Sequence, residues 1–230
     1  RDSILADAVE SIIAACFLDG GLEAAARFAL TAMAQNDPAH DGNHVKRVVQ
    51  LSQQLCQASA NADPFRAALL AWLHDLNDDK LTSDLGSTAI EAFLEGIGVE
   101  KSDIDFVLQG IPYISYRKYP KLSPDIPIEI RLVQDADRMD AMGAIGIGRA
   151  FAFGGSRGRS MYDPSDIPAQ MPDGKVYEAR RGSTVAHFYE KLLHLQSMLN
   201  TENAKEMGAH RHRCMEAFLE EFLEEWEGRR

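Results

Sequence analysis

The sequence predicts an all-α protein. The dominant apolar period is helical, no strand-like alternation of any length appears, and breaks fall at Gly and Asp-Pro punctuation. In chain order, the spacing predicts two helices over about 2–18 and 22–35, parted at Gly20-Gly21. Asp37-Pro38 opens a turn, and a helix follows over about 41–59 with Val48, Leu51 and Leu55 on its apolar face. Asp63-Pro64 joins an N-cap to a proline at the first helical position and starts a helix that runs to about 75. Shorter helices over 83–97 and 101–112 meet near Gly96 and Gly98. The stretch YRKYPKLSPDIP reads as a loop, and one long helix is expected over about 127–153. Residues 154–182 lack a period, and a loop that long inside a domain is usually functional or disordered. Helices over about 183–199 and 202–227 close the chain.

The chain has 230 residues, 45% of them apolar, with a net charge of −11. That composition is globular, and the charge argues against non-specific nucleic-acid binding and against docking on anionic lipid. Three cysteines without paired spacing do not make a disulfide framework, which favours a reducing cytoplasm. No apolar run reaches the roughly 18 residues of a membrane span. The chain begins with Arg1, and further sequence upstream is expected. Two units are expected: a helical hairpin over 1–35 and a larger domain over 36–230.

Three polar intrusions on apolar faces point to chemistry. Ile128, Leu132, Asp135, Met139 and Met142 form one helical stripe with a carboxylate at its centre. A lone inward carboxylate is costly unless it is paired or metal-bound. Asp137 and Asp140 lie well around the same helix and read as surface or supporting groups. His44 heads a second stripe with Val48, Leu51 and Leu55, and His74-Asp75 ends the most apolar helix of the chain, just before Asp78, Asp79 and Lys80. Each alone has an ordinary reading, as a satisfied core histidine or a chance dipeptide. Together they offer two imidazoles and two carboxylates from three segments, a donor set that suits Mn, Fe, Co, Ni or Zn, and four such ligands leave positions open for water and substrate.

The motifs HVKRV at 44–48, LHD at 73–75 and QDADRMDAMGAIGIGRAF at 134–151 resemble the H…HD…D signature of the HD-domain phosphohydrolase superfamily. HDGNH at 40–44, the D-x-K of Asp78 and Lys80, and residues 187–226 are similar to one bacterial branch that includes deoxynucleoside triphosphate pyrophosphohydrolases. The resemblance implies a helical, metal-dependent phosphohydrolase with His44, His74, Asp75 and Asp135 as ligands. No histidine lies between His74 and Asp135, so a single divalent ion is expected, with Mn2+ favoured and Fe, Co, Ni, Mg or Zn open. The motif LADAVE at 5–10 resembles the end of a ribonuclease III catalytic domain, in which Asp7 and Glu10 would bind magnesium. The partner motif is absent, and the segment is better explained as a packing hairpin.

The expected activity is hydrolysis of a nucleoside triphosphate with release of pyrophosphate; a phosphomonoesterase and a non-catalytic nucleotide-binding module are the alternatives. Asp78 is a candidate to orient or deprotonate the attacking water, or else a cap. Lys80 is a candidate to neutralise phosphate charge, or else a solvated lysine. Arg47, Arg117, Lys118, Lys121 and His187 are candidate substrate contacts, with Tyr113, Tyr116 or Tyr119 available to stack on a base and Arg157 and Arg159 in a loop that could act as a lid. His40 and Asp41 either orient His44 or form the helix entry, and His210 and His212 are not expected to bind metal. The expected partner is a small nucleotide, with no membrane and no nucleic acid; a homodimer is open.

Overall fold

The computed structural model describes residues 21–33, 42–76, 86–114, 116, 122–166 and 182–230. Among the described residues there are nine α-helices and one 3-10 helix, and no strand. The helices are α1 Leu22–Ala32, α2 Gly42–Gln57, α3 Pro64–Leu73, α4 Gly86–Gly96 and α5 Lys101–Ile114, then α6 Ile128–Asp140, α7 Gly143–Ser156, α8 Thr184–Glu190 and α9 Glu202–Trp226. The 3-10 helix, Leu192–Met198, lies between α8 and α9. No helix of the described residues is long and apolar enough to cross a membrane.

The expected start of α3 is present in detail. The Asp63 carboxylate accepts hydrogen bonds from the backbone N–H groups of Phe65 (2.9 Å) and Arg66 (3.2 Å), and Pro64 takes the first helical position. The helix that follows is apolar on nearly every side because it is buried on nearly every side: Ala67, Ala68, Leu69, Leu70, Ala71 and Leu73 are all core residues. Of the expected N-terminal hairpin, residues 1–20 lie outside the described residues. Its second half, α1, places Leu22, Ala25 and Ala29 in the same core as α3, and Phe28 stacks on Phe93 of α4 with ring centroids 4.0 Å apart.

α6 is the axis of the fold. It packs against α2, α3, α5, α7, α9 and the 3-10 helix, so it has no solvent side for most of its length. Five polar side chains of α6 are buried: Glu129, Gln134, Asp135, Arg138 and Asp140. Each finds a partner, as buried polar groups must. Glu129 accepts from the Asp63 N–H at 2.8 Å, Gln134 donates to the Tyr113 carbonyl at 2.6 Å, and Arg138 donates to the Met198 carbonyl.

The single long helix expected over 127–153 is two helices. α6 ends at Asp140, Ala141 and Met142 turn, and Gly143 takes a left-handed backbone (φ +69°) that only glycine adopts without strain. Met142 stays on the buried stripe, which is why the apolar period runs through the break unmarked. The expected helix over 183–199 also divides, into α8 and the 3-10 helix. There the His194 ring donates to the Tyr189 carbonyl at 2.9 Å, taking an acceptor that a continuing α-helix would need for its own ladder.

Candidate metal centre

Three helices bring the predicted histidines together. His44 sits in the first turn of α2, His74 caps the C-terminus of α3 with Asp75 next to it, and α6 crosses both. Nitrogen and oxygen donors of His44, His74 and Asp75 all lie within 4.8 Å of one another. His44 Nε2 is 3.4 Å from Asp75 Oδ2, and His74 Nε2 is 3.3 Å from Asp75 Oδ1. The imidazoles meet edge to face, with centroids 5.7 Å apart.

The fourth group is Asp137. Its Oδ1 lies 3.4 Å from His44 Nε2 and 3.9 Å from His74 Nε2. Asp135, the expected fourth ligand, points elsewhere: its Oδ1 accepts from the Asn200 N–H (2.7 Å) and carboxamide (2.9 Å), and its Oδ2 accepts from the Thr201 N–H (2.9 Å) and hydroxyl (2.8 Å). Asp135 therefore ties the turn that opens α9 to the central helix. The difference has a physical cause. Asp135 faces the residues that open α9, whereas Asp137 and Asp140 of the same helix reach the histidines. A helix enclosed on all sides has no single inner face, and a one-face reading sees only one of its inward carboxylates.

The outer ring nitrogens are fixed. His44 Nδ1 lies 2.7 Å from Asp140 Oδ2, and His74 Nδ1 lies 2.8 Å from the Ala71 carbonyl. Both acceptors take a proton from Nδ1, so in the neutral form of either ring the Nε2 lone pair is the one directed at the two carboxylates. His74 Nε2 is buried with no hydrogen-bond partner among the described residues. A buried nitrogen lone pair facing carboxylates is costly unless a cation lies between them, and two imidazoles with two carboxylates form a donor set that fits a divalent ion.

Burial alone would lower the His44 pKa, but the carboxylates of Asp137, Asp140 and Asp75 overcome it and hold the imidazolium well above the ordinary value of 6.5. Burial works to raise Asp140, yet the His44 and Arg47 bonds and the Arg149 charge hold its carboxyl well below the carboxylate range. Asp137 is lowered as well, with burial opposed by the His44 bond and charge. For Asp135 burial wins, and its carboxyl is raised despite the donors from Asn200 and Thr201.

Arg47, an expected substrate contact, has its guanidinium on Asp140 at 2.6 and 3.0 Å, and Arg149 of α7 reaches the same carboxylate at 2.7 Å. His187 of α8 is pushed down to about 3 by burial and by the nearby charges of Lys191 and Arg159, so its ring is neutral near pH 7. Lys191 in turn lies over the Tyr116 ring, 4.3 Å from its centroid. Asp78, Lys80, Arg117, Lys118 and Lys121 lie outside the described residues.

The comparisons with known proteins bear on the family and the fold. No family model matches the chain. Over 183 residues it is 37% identical to the uncharacterized protein YpgQ of Bacillus subtilis, covering 78% of this chain and 81% of that protein. A crystal structure from Lactobacillus plantarum superposes with a TM-score of 0.78 at 32% identity, covering 90% of this chain and 96% of that one. YpgQ in complex with ADP gives a TM-score of 0.72 at 31% identity, with 90% and 98% covered. An HD-superfamily hydrolase from Bacillus thuringiensis gives 0.69 at 36% identity, with 90% and 97% covered. A shorter likeness, 44% identity over 68 residues, links 29% of the chain to 29% of ribonuclease 3 from Symbiobacterium thermophilum. With two imidazoles and an adjoining carboxylate gathered inside a helical bundle, and relatives matched over most of its length, the chain belongs to the HD-superfamily hydrolases.

Proposed function

We propose that the chain is a metal-dependent phosphohydrolase acting on nucleotides, cleaving a nucleoside triphosphate with release of pyrophosphate. The observation that carries this reading is the convergence of His44 Nε2 and His74 Nε2 on the carboxylates of Asp75 and Asp137 at 3.3–3.9 Å. A divalent ion held by these four residues would supply a Lewis acid for a phosphoryl oxygen and lower the pKa of a bound water.

The histidines form the floor of the site, with side chains 2% and 1% exposed, while Asp75 and Asp137 are 17% and 28% exposed and form its mouth. An anionic phosphate approaching that mouth meets two carboxylates. Productive binding of a nucleotide therefore depends on prior neutralisation of the pair, which couples substrate affinity to the ion. Neutral His187 would contribute a ring hydrogen bond to substrate rather than charge. Lys191 and Arg159, whose charges reach His187, are better suited to phosphate. Asp78 would orient the attacking water, Lys80, Arg117, Lys118 and Lys121 would add positive charge along the triphosphate, and the in-line transfer needs little beyond this positioning. The ADP complex of YpgQ supports a nucleotide as the ligand class.

The test is a metal-by-substrate panel on the purified chain. It pairs Mn, Co, Ni, Mg and Zn with nucleoside mono-, di- and triphosphates, with Asp75→Ala as the blank. Pyrophosphate from triphosphates is the expected product. Orthophosphate alone would establish a phosphomonoesterase instead, and nucleotide binding without turnover under every metal would make the chain a binding module.

A further inference from the structure

We propose that Asp140 is a positioning residue of the metal centre: it fixes His44 in the tautomer that presents Nε2, and Arg47 and Arg149 hold it in place as an anion. This rests on the metal-site reading above and adds a part to it. The two histidines of the site are supported unequally. His74 has its Nδ1 proton on a neutral backbone carbonyl, that of Ala71. His44 has its Nδ1 proton on a carboxylate 96 residues away in sequence. That carboxylate is 1% exposed, and such a group persists as an anion only with strong partners. It has them on both oxygens. Arg47 Nε reaches Oδ1 at 2.6 Å, while a terminal Arg47 nitrogen at 3.0 Å and Arg149 at 2.7 Å reach Oδ2, the oxygen that also accepts from His44.

The arrangement does three things for His44. It fixes the ring plane, since Nδ1 must stay aimed at Oδ2. It keeps the single proton of the neutral ring on Nδ1, so the lone pair remains on Nε2. It also increases electron density in the ring, because a charged acceptor draws the Nδ1 proton more strongly than a carbonyl does, which raises ligand basicity. Arg47 lies one turn beyond His44 on α2, so ligand and clamp share one helix, while Arg149 comes from α7 across the Gly143 turn. In this role Arg47 acts through Asp140 and His44.

The test measures Mn2+ affinity by electron paramagnetic resonance on the nucleotide-free protein, beside kcat and KM with nucleotide. Outer partners of metal-bound histidines typically carry about 10- to 100-fold in affinity. Asp140→Asn keeps an acceptor oxygen for Nδ1 and should weaken Mn2+ binding about tenfold; Asp140→Ala should weaken it about a hundredfold. Arg149→Gln, which leaves Asp140 in place, should give a smaller loss in the same direction. At saturating Mn2+ the KM for nucleotide should stay within about threefold of the unsubstituted chain, with the deficit in kcat. A folded Asp140→Asn that binds Mn2+ as tightly as the unsubstituted chain would overturn the proposal. So would a set of variants that lose only thermal stability. Failure of nucleotide turnover with intact Mn2+ binding would sink the proposed substrate and leave this inference standing.

Discussion

Asp135 Oδ2 accepts both the backbone N–H and the hydroxyl of Thr201, at 2.9 and 2.8 Å, so a carboxylate of the central helix caps the entry to the last one. Asp135→Ala would strand the Asn200 and Thr201 N–H groups in a half-buried turn. A loss of about 3 kcal/mol is expected, with Mn2+ affinity of the folded fraction nearly unchanged. Asp137→Ala should do the reverse. Removing one of several crowded carboxylates costs the metal-free fold less than about 1 kcal/mol, as at other functional sites that trade stability for activity, while Mn2+ binding is lost. Urea denaturation and Mn2+ titration of the two variants check the pair. Loss of Mn2+ binding in Asp135→Ala with retention in Asp137→Ala would return the fourth ligand to Asp135.

The raised pKa of His44 gives metal binding a pH dependence of known sign. Metal-free protein carries a proton on this ring above the ordinary 6.5, and an ion can bind only by displacing it. Apparent Mn2+ affinity should rise with pH between 6 and 8, by at most about tenfold per unit, and level off once metal-free His44 is neutral. Stability of the chelated protein should run the opposite way. A group with a raised folded pKa contributes its full stabilisation below the unfolded value and loses it as pH rises through the folded one. Mn2+ titrations at three pH values, beside melting curves in EDTA, test both slopes. A flat affinity profile would mean that His44 does not exchange a proton for the ion.

Much of this site is legible in the sequence because its burial conflicts with its polarity. The His-Asp pair that ends the apolar helix α3 is an ordinary dipeptide by itself, and it gains meaning only beside the histidine that heads the apolar stripe of α2. The choice between Asp135 and Asp137 is different in kind. It depends on which neighbours surround α6, and that is a tertiary fact: with α2 and α3 on one side and α9 on another, both carboxylates are inward. The Asp140 clamp is hidden for the same reason, since Arg149 reaches it from a helix whose separate existence depends on the turn at 141–143. The Asp63 cap, by contrast, is local chemistry between neighbouring residues, and it appears where the sequence puts it.

His187 predicts acid sensitivity apart from the metal ligands. Its folded pKa is depressed to about 3 against an unfolded value near 6.5, so the unfolded chain takes up a proton that the folded chain refuses. The associated stability is complete above pH 6.5 and declines as pH falls towards 3, by about 2–4 kcal/mol after allowance for screening. His187→Gln should flatten the stability curve over that window in denaturant titrations of chelated protein. An unchanged acid slope in the variant would assign the sensitivity to other groups.

The turn between α6 and α7 should discriminate sharply among glycines. Gly143 combines its left-handed backbone with a crowded site, where a Cβ would meet Arg211 Cβ at 3.1 Å, so Gly143→Ala should cost about 1–2 kcal/mol. Gly146 is more constrained. Its Cβ would fall 2.3 Å from the Ala141 carbonyl oxygen, a backbone atom that cannot move aside without displacing one helix against the other. Because α7 carries Arg149 onto Asp140, Gly146→Ala should weaken Mn2+ binding as well as lower the melting temperature. Gly148 lies half a turn further on with nothing within 4 Å of its would-be Cβ, and Gly148→Ala should be neutral or stabilising by up to about 1 kcal/mol, the helix-propensity gain. Melting curves and Mn2+ titrations of the three variants test the joint. Equal tolerance at Gly146 and Gly148 would show that the placement of α7 does not depend on close approach at this turn.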